Sequence, residues 1–288
     1  MSNKMNNNCS GKNPPAFYLY MSRIIHDPVP FLFFGSLVSL KIYHLIGKID
    51  LTTDFVSIMY GIDQSMSGIK AILFSRPVLD LFYTITAILF DLLIIISYLI
   101  RVKPVSNQGK AQGFWEMWYP IITVLIPMIS FTYLLYRPIP VEKDPLFRTL
   151  YQSATFVHSV GLAGFLLSLV GCTLSIIVLW KLKNSFSLMV EVRELVTDGM
   201  YKYMRHPLYA AELTHALGTT LLLLNSASIS IYILFFTLEA IRAKFEERKL
   251  LAVIPEYADY KARTGFFFPK FGGAQQKAKL HGVAQRSF

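Results

Sequence analysis

This sequence predicts an all-α fold, a polytopic membrane helix bundle of about six transmembrane helices. Three observations point there. Hydrophobic residues make up 53% of the chain and charged residues only 16%, against about a quarter charged in an ordinary soluble domain. Mean hydropathy is +0.45, and several apolar runs reach the ~20 residues with which a helix crosses a bilayer. The surplus of basic residues, 28 Lys and Arg against 18 Asp and Glu, gathers in the loops that alternate on one side of that layout, as the positive-inside rule requires. A net charge of +10 on such a chain implies basic cytoplasmic loops rather than nucleic-acid binding.

Residues 1–28 are Asn-rich, Pro-containing and without a cleavable-signal pattern, so a disordered or interfacial tail is expected. Val29–Gly47 is the first span, with Lys41 and His44 near its end placed to snorkel to an interface. Asp50–Ser75 mixes apolar patches with Asp54, Asp63 and Gln64 and reads as interfacial or re-entrant. Pro77–Ile100 is a span despite Asp80 and Asp91. Trp115–Tyr136 follows, opened by an aromatic belt of Trp115, Trp118 and Tyr119. Ala154–Trp180 is the longest, and Gly161, Gly164 and Gly171 offer small surfaces for close helix packing. Leu208–Leu224 and Ser228–Ile241, parted only by Asn225-Ser226, predict a tight helical hairpin. With both termini cytoplasmic, the polar stretch Glu191–Tyr209 and the basic segment from Arg242 onward fall on the same side and can meet.

Much chemistry is excluded. The two cysteines, Cys9 in a polar tail and Cys172 inside an apolar run, predict neither a disulfide framework nor a cysteine metal site. The six histidines are scattered. Glu212 and His215 do share a helix face at i, i+3, a spacing used by carboxylate-bridged metals, but no second such motif exists. A hydrogen bond between helices is the better expectation, and no metal is expected. Glycine-rich phosphate loops and nucleophile elbows are absent from the sequence.

Two polar features remain. Glu239, Arg242 and Glu246 follow one helix stripe, with Glu247 beside it. Spacing alone allows a ladder of intrahelical salt bridges or a polar site at the membrane boundary, and Glu239 falls near hydrocarbon depth, where ionisable groups usually serve a function. In Arg205-His206-Pro207, the proline suits the first turn of a helix. His206 then stands at a helix mouth, where free N–H groups favour an anion. Together these surfaces suit an amino-acid-like ligand carrying both charges.

At these residues the sequence resembles the isoprenylcysteine carboxyl methyltransferase family of integral-membrane methyltransferases. The resemblance rests on Glu194–Tyr209 (ELVTDGMYKYMRHPLY), Gly218–Asn225, Arg242–Leu251 (RAKFEERKLL) and the EYADY of Glu256–Tyr260, preceded by Asn184–Ser187. It covers about residues 180–270, and the spacing of its pieces is more specific than any piece alone. It implies S-adenosyl-L-methionine as methyl donor, in a cytoplasmic cofactor site formed by the C-terminal third. The implied contacts are Arg193, Glu194, Leu195, Val196, Tyr201, His206, Pro207, Leu208, Tyr209 and Glu246. Arg242 matches the family's substrate-side arginine, and Glu239 joins it as a candidate catalytic group. The family carries His where this chain has Arg193.

The resemblance thus divides the chain into N-terminal transmembrane helices (29–180), a methyltransferase core (181–271) and a basic flexible tail (272–288). It also implies a lipid-like or lipidated substrate drawn from the bilayer, first the α-carboxylate of a prenylated cysteine. The active site would face the cytoplasm, in an inner membrane if bacterial or the endoplasmic reticulum if eukaryotic. A phospholipid amine or a small thiol is the alternative acceptor, and an amine would bring in Glu239 or Glu212 as a base. A sterol-type membrane reductase and a non-enzymatic membrane protein are the other readings. The oligomeric state stays open.

Overall fold

The computed structural model describes residues 28–48, part of 84–99, 106–182 with short gaps between 138 and 153, and 185–270 apart from Phe186. Its helices are α1 (Pro28–Lys48), α2 (Ala87–Ile96), α3 (Gly113–Tyr136), α4 (Ala154–Leu182), α5 (Pro207–Leu223), α6 (Ser226–Val253) and α7 (Tyr257–Arg263), with a 3-10 turn at Gly199–Lys202. Among the described residues the sole β pairing is an isolated parallel bridge, Met204 to Gly265. Three helices are long and apolar enough to cross a membrane, over Gly113–Leu134, Ser159–Leu182 and Ser226–Val253. The chain is therefore mostly helical and reads as a multi-pass membrane protein. The expected terminal tails and the Asp50–Ser75 segment lie outside the described residues.

Among the described helices the closest packing is between α4 and α5, and glycine makes it possible. A Cβ on Gly171 would sit 2.3 Å from the His215 nitrogen, and one on Gly218 would sit 2.3 Å from the Ser168 nitrogen. Backbone meets backbone here, the arrangement small residues permit inside a membrane. Ser168 Oγ and His215 Nδ1 add a hydrogen bond of 2.9 Å across the same seam.

The link from α5 to α6 is two residues long. Leu224 closes α5 in the left-handed region at φ 39°, and its N–H reaches the Thr220 carbonyl at 2.8 Å. Asn225 then caps α6 in a reciprocal capping box with Ser228. Asp144, from the segment before α4, accepts the Ser226 N–H at 2.7 Å. That backbone bond holds the Asp144 carboxyl below its usual range.

In α3, Pro120 sits inside the helix. Without an N–H it leaves the Glu116 carbonyl four residues earlier unclaimed. Val190 takes that carbonyl at 2.9 Å, tying the segment after α4 to α3. One apolar core joins Phe34 of α1, Ile94 of α2, Val178 and Leu179 of α4, Leu208 and Leu213 of α5 and Ala243 of α6.

Three sequence expectations are corrected. Lys41 does not snorkel; it is buried, with Nζ 2.7 Å from Asp91 Oδ2 of α2, since pairing removes the cost of a lone buried charge. Tyr119 is not part of an exposed belt. Trp115 and Trp118 face outward, but Tyr119 is buried and donates to the Leu238 carbonyl at 3.1 Å. Gly161 is not in the helix seam and faces open space. The last helix continues unbroken past its apolar stretch to Val253, as the shared stripe of Glu239, Arg242 and Glu246 requires.

Gly218→Val should therefore disrupt the α4–α5 seam and lower thermal stability in detergent by an amount corresponding to at least ~1–3 kcal/mol. Gly161→Ala should be neutral or slightly stabilising. Equal melting temperatures for the two variants would contradict this packing.

Candidate active site

After α4 the chain leaves helix, and residues 187–197 form an irregular strap. This strap is pinned by two backbone bonds, Val190 to the Glu116 carbonyl and Val192 to the Gly109 carbonyl at 2.8 Å. Val190 and Val192 are buried, so alternate residues turn inward to the core. The 3-10 turn follows, entered through Gly199 at φ 61°. It buries Tyr201, whose hydroxyl is held protonated by burial. Tyr260 of α7 donates to the Tyr201 carbonyl at 2.7 Å.

His206 is the N-cap of α5, with Pro207 in the first turn, and the His206 side chain makes no cap hydrogen bond to the helix N–H groups. The imidazole stacks on the Tyr209 ring at 5.4 Å and meets Phe266 edge-on at 5.0 Å. Behind it lies Glu247 of α6. That carboxylate pairs with Arg205, lies 3.4 Å from His206 Nε2 and takes Lys261 of α7 at 2.7 Å. Arg205 also donates to the Lys261 and Thr264 carbonyls. The segment after α7 returns beside the loop, with Arg205 N–H on the Gly265 carbonyl at 2.9 Å and Gly265 N–H on the Tyr203 carbonyl at 3.0 Å. Glu247 thus clamps loop, α6 and α7 together.

Arg242, one turn earlier on α6, is 3% exposed. Its Nη2 donates to the Leu188 carbonyl at 2.9 Å, its Nη1 lies 3.4 Å from Glu239 Oε1, and its Nε lies 3.5 Å from Glu246 Oε1. The guanidinium also covers the Tyr209 ring, 4.9 Å from its centroid. Tyr209 Oη donates to Glu246. The salt-bridge ladder and the polar site are therefore the same residues.

These groups surround an open pocket with about 1070 Å³ of empty space, its mouth included. Arg193, Glu194, Leu195 and Val196 of the strap, Tyr201, His206, Leu208 and Tyr209, and Arg242 and Glu246 all line it. Pro207 and Glu239 do not. Pro207 sets the start of α5, and Glu239, fully buried, touches Arg242 from behind. Arg193 is buried in the wall, with Nη2 2.6 Å from Glu191 Oε2. Among the described residues no three metal-ligating side chains come together.

Two lining residues were given no role in the sequence, Tyr257 and Tyr260 of α7. Glu212 of α5, the candidate base for an amine acceptor, lines the pocket with them. The hydroxyl of Tyr257 and one oxygen of Glu212 are buried without a hydrogen-bond partner among the described residues. The EYADY pair carried the only sequence signal for α7, and i, i+3 spacing turns both tyrosines to one face. The Leu188 carbonyl on Arg242 had no sequence signal at all.

Residues 163–252 match the isoprenylcysteine carboxyl methyltransferase family model. The match overlaps the stretch where the sequence resemblance lies. Two curated relatives align over part of the chain. A protein-S-isoprenylcysteine O-methyltransferase of Saccharomyces cerevisiae is 33% identical over 127 residues, 39% of this chain and 53% of that protein. The cobalt-zinc-cadmium resistance protein CzcN of Cupriavidus metallidurans is 39% identical over 79 residues, 26% of this chain and 36% of that protein. The matched region thus spans about half the length of the first relative and about a third of the second. Among solved structures, that of the eukaryotic intramembrane Ras methyltransferase ICMT aligns at 17% identity over 88% of this chain and 97% of that chain, with a TM-score of 0.40.

Glu247→Gln should release Arg205 and Lys261 together and cost about 3 kcal/mol, the scale for breaking a buried ion pair. The expected readout is a lower melting temperature in detergent with faster proteolysis between 198 and 206. An unchanged melt would mean the clamp does not hold the loop.

Proposed function

We propose that the chain is an integral-membrane methyltransferase that moves a methyl group from S-adenosyl-L-methionine to a lipophilic acceptor, first the α-carboxylate of a prenylated cysteine. The observation that carries this reading is the single pocket into which the strap, the mouth of α5 and the Arg242–Glu246 turn of α6 all open. The family match over 163–252 supports it. Six spans, both termini cytoplasmic and a site on the cytoplasmic side complete the reading, with residues 181–271 as the catalytic core.

The residues present suit the methyl donor. The pocket wall holds the unpartnered Tyr257 hydroxyl and a Glu212 oxygen, which a polar ligand would engage. The N–H groups that open α5, without a cap bond from the His206 side chain, suit a carboxylate, and Glu246 suits a cation. Tyr201, His206 and Tyr209 supply flat apolar faces, with Leu195 and Val196 beside them. When bound, S-adenosyl-L-methionine supplies an electrophilic methyl carbon on a positively charged sulfur.

The protein's own work is orientation and exclusion of water. Arg242 holds the acceptor carboxylate, exchanging the Leu188 carbonyl on Nη2 for a carboxylate oxygen. A charged, planar fork is well matched to that partner. Glu239 and the Tyr209 ring fix the plane of the guanidinium, so Glu239 acts by positioning. An ionised carboxylate needs no base, and no proton moves.

Saturable binding of S-adenosyl-L-methionine to detergent-purified protein tests the reading, and binding of NADPH in its place would overturn it. Methyl transfer to a prenylcysteine analogue, a phosphatidylethanolamine and a small thiol, assayed side by side, names the acceptor. Glu246→Ala should weaken S-adenosyl-L-methionine binding at least 10-fold, on the order of what removing a charged hydrogen-bond partner costs; retained affinity would leave Glu246 a salt-bridge residue only. Arg242→Lys should keep cofactor affinity but lower turnover of an anionic acceptor by ~10–100-fold. Unchanged turnover would point to a neutral or amine acceptor.

A further inference from the structure

Past Ile241 the last turns of α6 carry the chain ~18 Å along the helix axis, at ~1.5 Å per residue, beyond the apolar stretch. After α7 the segment Thr264–Lys270 turns back toward that stretch. The Phe267 ring meets Phe236 of α6 edge-on at 5.9 Å, and Phe236 stands on the outward face of the helix beside the exposed Ile233. Gly265 makes the turn, since a Cβ there would run into the Phe268 carbonyl. Phe268 is left 79% exposed at the depth where α6 leaves the hydrocarbon. So exposed a ring is unfavourable in water and well placed in a membrane interface.

Two residues on, Lys270 enters the wall of a second pocket, with about 590 Å³ of empty space, mouth included. Lys202 and Arg263 line it with Lys270, beside Thr197, Tyr203 and Thr264. The backbone N–H groups of Lys270 and Gly265 both reach the Tyr203 carbonyl at 3.0 Å. Lys270 Nζ donates to the Ala262 carbonyl at 3.0 Å and Arg263 Nε to the Asp259 carbonyl at 3.2 Å. Among the described residues no carboxylate lines this pocket. Asp198, next to Thr197, pairs with Lys181 at 2.9 Å. Three cations around one space repel one another unless an anion joins them.

We propose that this pocket holds the phosphate of an anionic lipid, with Lys202, Arg263 and Lys270 around the headgroup and Phe268 among the acyl chains. Two residues span at most ~7 Å, and the headgroup layer adds ~5–8 Å on each side of the hydrocarbon. Lys270 therefore falls at phosphate level when Phe268 sits at the hydrocarbon edge. A zwitterionic lipid fits less well, because its ammonium would find cations and no carboxylate. Free phosphate or an acidic peptide would use the cations but leave Phe268 in water. The site rests on the membrane reading alone and not on methyl transfer.

Full-length protein purified in detergent is titrated with phosphatidylglycerol or phosphatidylcholine, and retained lipid is counted by native mass spectrometry. The wild-type protein should hold phosphatidylglycerol about tenfold more tightly. K202Q/R263Q/K270Q should erase that preference, at roughly fivefold per basic group near an anionic headgroup. All three side chains are exposed; K202Q/K270Q, with a partial loss expected, serves if the triple variant does not fold. Phe268→Ser should weaken phosphatidylglycerol several-fold and leave binding of inorganic phosphate unchanged. Equal retention of the two lipids by the wild-type protein, or a preference that outlasts the charge variants, would overturn the site. Displacement of phosphatidylglycerol by equimolar inorganic phosphate or a soluble Glu-rich peptide, unaffected by Phe268→Ser, would overturn a lipid as its occupant. Phosphatidylglycerol has no carboxylate, thiol or amine to methylate, so this outcome is independent of any methyl-transfer assay.

Discussion

Arg242 sets the terms for the C-terminal half of this protein. A guanidinium cannot shed its charge, so burying it costs several kcal/mol unless it is paired. Here a carboxylate one turn back, a carboxylate one turn on, a carbonyl from the strap and an aromatic face from α5 surround it, with Nε near Glu246 but without a hydrogen bond among the described residues. Each partner comes with a constraint. Glu239 and Glu246 require α6 to stay helical past its apolar stretch, Leu188 requires the strap to lie against α6, and Tyr209 requires α5 to begin at Pro207. The local geometry of three segments follows from one buried charge.

The strap obtains its second anchor from an absence. Pro120 cannot donate, and the carbonyl it leaves open is filled by Val190. On the far side Glu247 gathers Arg205, His206 and Lys261. Both flanks of the pocket are thus held by polar bonds to helices, and its interior sets aromatic and aliphatic faces beside the charged Arg242, Glu246 and Glu212. A wall built this way keeps its shape without needing a ligand to fill it, and preorganisation of that kind lowers the cost of binding.

The sequence made the helices and the pocket turn legible for separable reasons. Apolar runs of spanning length announce themselves through composition, and i, i+3, i+4 spacing puts Glu239, Arg242 and Glu246 on one stripe before any fold is known. Pro207 and Asn225 mark helix starts by their own chemistry. What stayed hidden depends on partners far away in the chain. Lys41 looks like a snorkelling lysine until Asp91, fifty residues on, is set beside it. Tyr119 looks interfacial until the Leu238 carbonyl is in reach. Glycine spacing suggested a small-residue seam, but only the mate helix decides which glycines face it, and Gly161 faces away. Backbone acceptors such as the Leu188 carbonyl have no residue signature at all.

The α4–α5 seam also bears on traffic. Where Gly171 and Gly218 bring backbone onto backbone, no acyl or prenyl chain has room to pass between the two helices. A molecule crossing between these two helices at that level would have to part them first. Among the described residues this joint is a closed wall rather than a passage.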